Sequence, residues 1–152
     1  MYSKEYRETV KNASIDLEVN EKFIKTHEET IKVKSLYPDK ISFHFAIMEL
    51  ETWLIAISNI FERLHNDLNN EVVKENLGID LISINPENEI FHPAILIDKI
   101  LQIVGDSYDK KKGEINKFLA LIDKKDFLEL LESQKCESFN RYCESMSIKV
   151  EK

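Results

Sequence analysis

The chain has 152 residues, of which 43% are hydrophobic and 32% charged, and its 21 Lys and Arg against 28 Asp and Glu give a formal net charge of −7. This length suits one domain, and the composition can bury a core, which excludes a disordered, collagen-like or low-complexity chain. An acidic surface repels the phosphate backbone, so we do not expect this chain alone to bind nucleic acid. Its three glycines include no pair spaced as in a Walker loop or a dinucleotide-binding fingerprint.

The cysteines and the termini indicate where such a protein would work. Cys136 and Cys143 are seven residues apart in a segment predicted to be helical, which separates their α-carbons by about 10 Å, too far for a disulfide. We therefore expect reduced thiols and a cytoplasmic location. The N-terminus lacks the apolar core of a signal peptide, and no apolar run approaches the ~20 residues that span a bilayer, so we expect neither secretion nor a membrane partner.

The first half of the chain is predicted to contain a helix, a strand and a second helix. A surface helix covers about residues 20–36 and stops at Tyr37-Pro38-Asp39. Residues 41–47 then alternate between apolar and other side chains, which predicts a β-strand. Apolar residues at three- and four-residue steps predict a helix over residues 48–67. A lone strand cannot satisfy its own backbone, so its partner lies in the first forty residues, in another chain or in a larger α/β unit.

The second half is predicted to be mainly helical, with a short extended piece over residues 79–84 and a polar loop over residues 106–113. A short helix around residues 71–77 ends at Gly78, and His92-Pro93 opens another helix that runs through Val104 to Gly105. Three helical pieces follow, with Asp123 and Ser133 at the positions of helix caps. We expect one domain over 1–152, made of residues 1–70 and a helical C-terminal part over 71–152.

Several segments resemble a toprim-like family of uncharacterised prokaryotic proteins, related to the nuclease half of OLD-type systems, which combine an ATPase with a toprim domain. The first is the segment 44–54, His-Phe-Ala-Ile-Met-Glu-Leu-Glu-Thr-Trp-Leu. The later ones follow in the family's order: Phe91-His92-Pro93, Gly105 with Tyr108-Asp109-Lys110, Asp126-Phe127 and Cys136-Glu137-Ser138-Phe139. The four later blocks, in the family's order, make the resemblance more specific than one short motif would.

The resemblance implies a helix-dominated α/β fold, with a partial toprim-like sheet of few strands and a C-terminal helical bundle. It also implies metal-dependent phosphodiester cleavage in defence against phages and other mobile elements. In the family that this chain resembles, a whole first half precedes the segment similar to Met1-Tyr2-Ser3. The resemblance therefore implies a C-terminal portion that lacks the first metal-binding Glu and the central acidic motif. We expect it to be inactive alone, with the missing toprim half, an ATPase or a second copy at the strand edge as its partner.

The resemblance makes Glu49 and Glu51 candidate ligands of Mg²⁺ or Mn²⁺, because both ions prefer carboxylate oxygens. The alternative is that both are acids in the first turn of a helix, where its dipole stabilises them, with Trp53 packed in the core. Trp53 and Arg141 are candidate contacts to a partner or substrate, although Arg141 also suits a surface ion pair.

Two hypotheses for function follow, and neither names a catalytic residue. In the first, the chain is the C-terminal part of a metal-dependent nuclease. In the second, it is a non-enzymatic, acidic helical module that docks through a strand edge or an apolar helix face.

Overall fold

The computed structural model describes residues 17–44, 46, 50–111 and 113–146. Over these residues the protein is helix-dominated, with nine α-helices and no β-strand. The helix-dominated part of the predicted fold class is therefore confirmed. The chain forms two compact units, which divide between Phe45 and Ala46.

The first unit is built on one long helix. Helix α1 covers Leu17–Lys34, close to the predicted 20–36, and a 3-10 turn follows at Pro38–Lys40. Proline at the first position of that turn ends the preceding segment, because its ring fixes φ and removes an N–H donor. The sequence located this helix end correctly.

The predicted strand over residues 41–47 is wrong where the structure describes it. Ile41 has extended backbone angles, but its N–H donates back to Pro38 O at 3.2 Å, and no strand pairs with residues 41–44. Phe43 instead stacks on the His27 ring of α1, with ring centroids 4.7 Å apart. Of the alternating apolar side chains, Phe43 is thus covered by a helix and Ile41 is 49% exposed, while Phe45 and Ile47 lie outside the described residues.

The predicted helix over 48–67 is two helices. Helix α2 covers Glu51–Ala56 and α3 covers Ile60–Leu64, while residues 48 and 49 are not described. Ile57 breaks the helix with ψ of 84°, and tight turns link Ile57 N to Leu54 O at 3.1 Å and Ile60 N to Ile57 O at 3.0 Å. Both helices bury side chains in one core. The three- and four-residue spacing of apolar residues therefore continues across the break at Ile57, and the spacing alone does not reveal the break.

Six further helices complete the second unit: α4 Asn70–Leu77, α5 Pro86–Glu89, α6 Pro93–Gln102, α7 Glu114–Leu119, α8 Lys124–Ser133 and α9 Glu137–Ser145. Gly78 ends α4 with φ of 71°, the left-handed conformation that glycine adopts without strain. Asp123 caps α8 through a reciprocal capping box with Asp126. The predicted cap at Ser133 is wrong, because Ser133 is the last residue of α8.

The core of the second unit is apolar and centred on α2, α3 and α6. The largest fully buried side chains include Ile55, Ile60, Phe61, Ile97, Ile100 and Phe118. Helix α2 packs against both α5 and α6, which fixes the positions of these two helices. No helix in the described ranges combines the length and the apolar character that crossing a bilayer requires.

Candidate functional site

The candidate metal ligand Glu51 lies at the start of α2 and is buried. Its Oε1 accepts a hydrogen bond from Tyr108 Oη at 2.9 Å and lies 3.7 Å from Lys110 Nζ. Both partners come from the loop after α6, so Glu51 joins that loop to α2. The carboxylate therefore has one hydrogen bond and one nearby cation within the protein.

The predicted site for Mg²⁺ or Mn²⁺ stays a prediction. Glu49, the other predicted ligand, lies outside the described residues. Within the described part of the chain, no three His, Cys, Asp or Glu side chains are grouped so that they could hold a metal ion.

Trp53 and Arg141, the predicted partner contacts, have internal partners. Trp53 Nε1 donates to Ser138 Oγ at 3.0 Å, and the Trp53 ring lies edge-on to Phe139 with centroids 5.1 Å apart. Arg141 is half-exposed and pairs with Glu137 one turn away on α9. Trp53 thus anchors α2 to α9, and Arg141 makes the surface ion pair that the sequence left open as an alternative.

A buried carboxylate that sequence analysis missed holds the start of α9. Glu87 is 2% exposed, and its two oxygens accept hydrogen bonds from the Ser138 hydroxyl and, at 3.1 Å, from Ser138 N. Burial raises the pKa of Glu87, and the bonds from Ser138 oppose that shift. Glu87 thus caps α9 from α5, and a partner 51 residues away leaves no local pattern in the sequence.

A cleft of about 810 Å³ lies in the second unit, and we call it the α6 cleft. It lies where the end of α4, the loop over residues 78–84, the end of α5 and the first two turns of α6 converge. Its apolar lining consists of Leu77, Ile79, Ile84, Ile90, Phe91, Ile95 and Leu96. Its polar lining consists of Asp80, Ser83, Glu89, His92 and Lys99.

The loop wall of the α6 cleft is held by side chains from outside it. Asn70 Oδ1 accepts from Leu81 N at 2.7 Å, and Lys135 Nζ donates to Leu81 O at 3.3 Å and to Ile82 O. Burial lowers the pKa of Lys135. These bonds from α4 and from the α8–α9 connection fix the loop backbone, so the cleft is a preformed feature of the fold.

The two carboxylates of the α6 cleft already accept hydrogen bonds. Asp80 accepts from Lys74 Nζ at 2.8 Å and from Asn70 Nδ2 at 3.1 Å, and the bond from Lys74 lowers the pKa of Asp80 to about 2. Glu89 Oε1 accepts from Asn85 N at 2.7 Å at the start of its own helix. Both acids therefore serve the local structure.

The basic side chains of the α6 cleft differ in this respect. Within the described ranges, Lys99 Nζ has no hydrogen-bond or ion-pair partner, and the His92 ring lies edge-on to the Phe91 ring, with centroids 4.4 Å apart. The structure thus gathers Phe91 and His92, part of one of the segments quoted above, with Lys99 around an apolar floor.

Comparison with family models, with curated proteins and with solved structures finds no match for this chain. The toprim-like relationship therefore stays a prediction from the motifs alone.

Proposed function

We propose that this chain is a non-enzymatic binding module that holds a ligand with an apolar body in the α6 cleft. The observation that carries the proposal is the cleft itself. Its volume of about 810 Å³ falls in the range of small-molecule sites, roughly 300–1,000 Å³, which are mostly apolar with a few polar groups. Ile90 and Leu96 form a buried floor, and Ile95, 51% exposed, offers apolar surface at the rim.

The residues of the α6 cleft favour ligand binding over catalysis. A hydrolytic site would need a nucleophile joined to a base, and no hydrogen bond links Ser83 to His92, the hydroxyl and imidazole among the described lining residues. The thiols are poor nucleophiles, because burial raises the pKa of both Cys136 and Cys143. The proposal includes a reducing, cytoplasmic setting, which the two free cysteines support.

Three predictions from the toprim-like resemblance are not part of this proposal. A partial toprim-like sheet, metal-dependent cleavage, and a missing toprim half or an ATPase as partner all depend on the motifs, and Glu49 lies outside the described residues. The binding proposal needs neither a metal nor a second chain.

Calorimetric titration with 4-butylbenzyl alcohol, a neutral probe with an apolar body, tests the proposal. We expect the wild-type protein to bind the probe and Ile95→Glu to weaken binding at least five-fold, because it places a charge where the apolar body lies. Leu119→Glu is the matched control, since Leu119 on α7 is 50% exposed and does not line the cleft. Absence of binding to the wild type, or equal weakening by both variants, would contradict the proposal.

A further inference from the structure

The charges that line the α6 cleft are not equally available to a ligand. Asp80 is neutralised by Lys74 at 2.8 Å, and it also accepts hydrogen bonds from Asn70 Nδ2 and Ile82 N. Lys99 is exposed, and no carboxylate in the described part of the chain pairs with its ammonium group. Lys99 is therefore the cation of the cleft lining whose ammonium group is available to a ligand.

Helical geometry places this cation beside the apolar surface. Ile95 and Leu96 precede Lys99 by four and three residues on α6, so they lie one turn away on the same side of the helix. Ile95 is exposed at the rim and Leu96 is buried in the floor. A molecule whose charged end lies on Lys99 can therefore extend its apolar part over Ile95 towards Leu96.

We propose that the α6 cleft selects an amphipathic carboxylate, with its head group on Lys99 and its apolar body on the floor of the cleft. This inference rests on the proposed function, since it names the class of ligand for that site. The ammonium group of Lys99 supplies up to three N–H donors to the carboxylate, and His92 at the start of α6 supplies a further polar contact. The ligand's apolar body replaces water mainly over Ile95, which is 51% exposed, and reaches Ile90 and Leu96 on the floor.

Glu89 is the lining group that opposes an anion. Its carboxylate is exposed, and its Oε1 accepts from Asn85 N, but no cation in the described residues pairs with it. Lys99 and Glu89 do not form an ion pair with each other, so the positive and negative groups of the lining are separate. Removal of the Glu89 charge should therefore strengthen binding of an anionic ligand, while removal of the Lys99 charge should weaken it.

Three probes with one apolar body test this inference at neutral pH: 4-butylbenzoate, 4-butylbenzyl alcohol and 4-butylbenzylamine, each titrated by calorimetry. We expect the benzoate to bind most tightly and the amine least. Lys99→Gln should weaken benzoate binding roughly two- to five-fold, the range for an exposed ion pair, and should weaken binding of the alcohol less. Glu89→Gln should strengthen benzoate binding. Lys117→Gln, at an exposed lysine of α7 outside the cleft, is the matched control and should change nothing.

The results that would refute the carboxylate selection differ from those that would refute the proposed binding function. If the alcohol binds as tightly as the benzoate, or if Lys99→Gln and Lys117→Gln have the same effect, the selection of carboxylates is refuted while the binding module stands. If the amine binds most tightly, Glu89 rather than Lys99 determines the choice of ligand, and the inference is likewise overturned. If none of the three probes binds, both the inference and the proposed function fail.

Discussion

Replacement of Glu87 by alanine should destabilise the protein by removing the cap of α9 from the interior. Glu87→Ala leaves the Ser138 N–H and hydroxyl, both buried, without the carboxylate that accepts from them. An unsatisfied buried donor costs about 1–3 kcal/mol. The hydroxyl can rotate towards another acceptor, and loss of the buried charge offsets part of the cost. The net loss in free energy of unfolding should be about 1–3 kcal/mol.

Urea unfolding followed by the fluorescence of Trp53 measures this loss. Trp53 is the only tryptophan of the chain and donates to Ser138, so it reports on the same contact. Glu75→Ala, at an exposed glutamate of α4, is the control and should change stability by less than about 0.5 kcal/mol. Equal effects of the two substitutions would refute the role given to Glu87.

The pH dependence of stability provides a second test of Glu87. Burial raises its pKa, so between the ordinary glutamate pKa, about 4.3, and the raised value the folded state binds more protons than the unfolded state. The contribution of Glu87 to the free energy of unfolding must then fall as pH rises through this window and stay level above it. Glu87→Gln has no proton to exchange, so wild type minus variant should fall over the window. A difference that is flat or rises would refute the reasoning.

Three further predictions concern stability and burial elsewhere in the second unit. Asp126→Ala should lower the free energy of unfolding in urea by about 3 kcal/mol, because it leaves Arg63 without its paired carboxylate. The hydrogen bond from Arg63 lowers the pKa of Asp126, so the contribution of this pair to stability should be lost as pH falls below about 3.9. Gly78→Ala should cost about 1 kcal/mol through its positive φ alone, since an added Cβ meets no atom within 4 Å. Cys136 and Cys143 should react with a thiol reagent at pH 8 at least ten-fold more slowly in the folded protein than in urea, and rapid reaction of the folded protein would contradict their burial.

Local patterns predicted the helix ends of this fold well. Pro38, Gly78 and Pro93 mark real boundaries, because each acts through its own backbone and needs no distant partner. Asp123 was likewise recognisable as a cap, since its hydrogen bonds are to residues two and three positions on. Such features can be predicted because the sequence contains both the cause and its partner within one turn.

Features that depend on tertiary contacts could not be predicted in this way. Alternation at residues 41–44 predicts a strand, but the structure has no strand there, and the His27 ring of α1 stacks on Phe43. The sequence made Glu51 a candidate metal ligand, and no pattern in it indicated that Tyr108, 57 residues later, would donate to Glu51. The α6 cleft is built from four segments whose convergence no single pattern contains.

The location of a bound probe is the most direct test of the account. In a methyl spectrum of protein labelled at isoleucine and titrated with 4-butylbenzoate, we expect the signals of Ile79, Ile84, Ile90 and Ile95, which line the cleft, to shift together. The signal of Ile60, which is fully buried in the core and outside the cleft lining, should not shift. Saturable shifts confined to isoleucines outside the cleft, or no shift at the four cleft residues, would contradict the claim that this protein binds its ligand there.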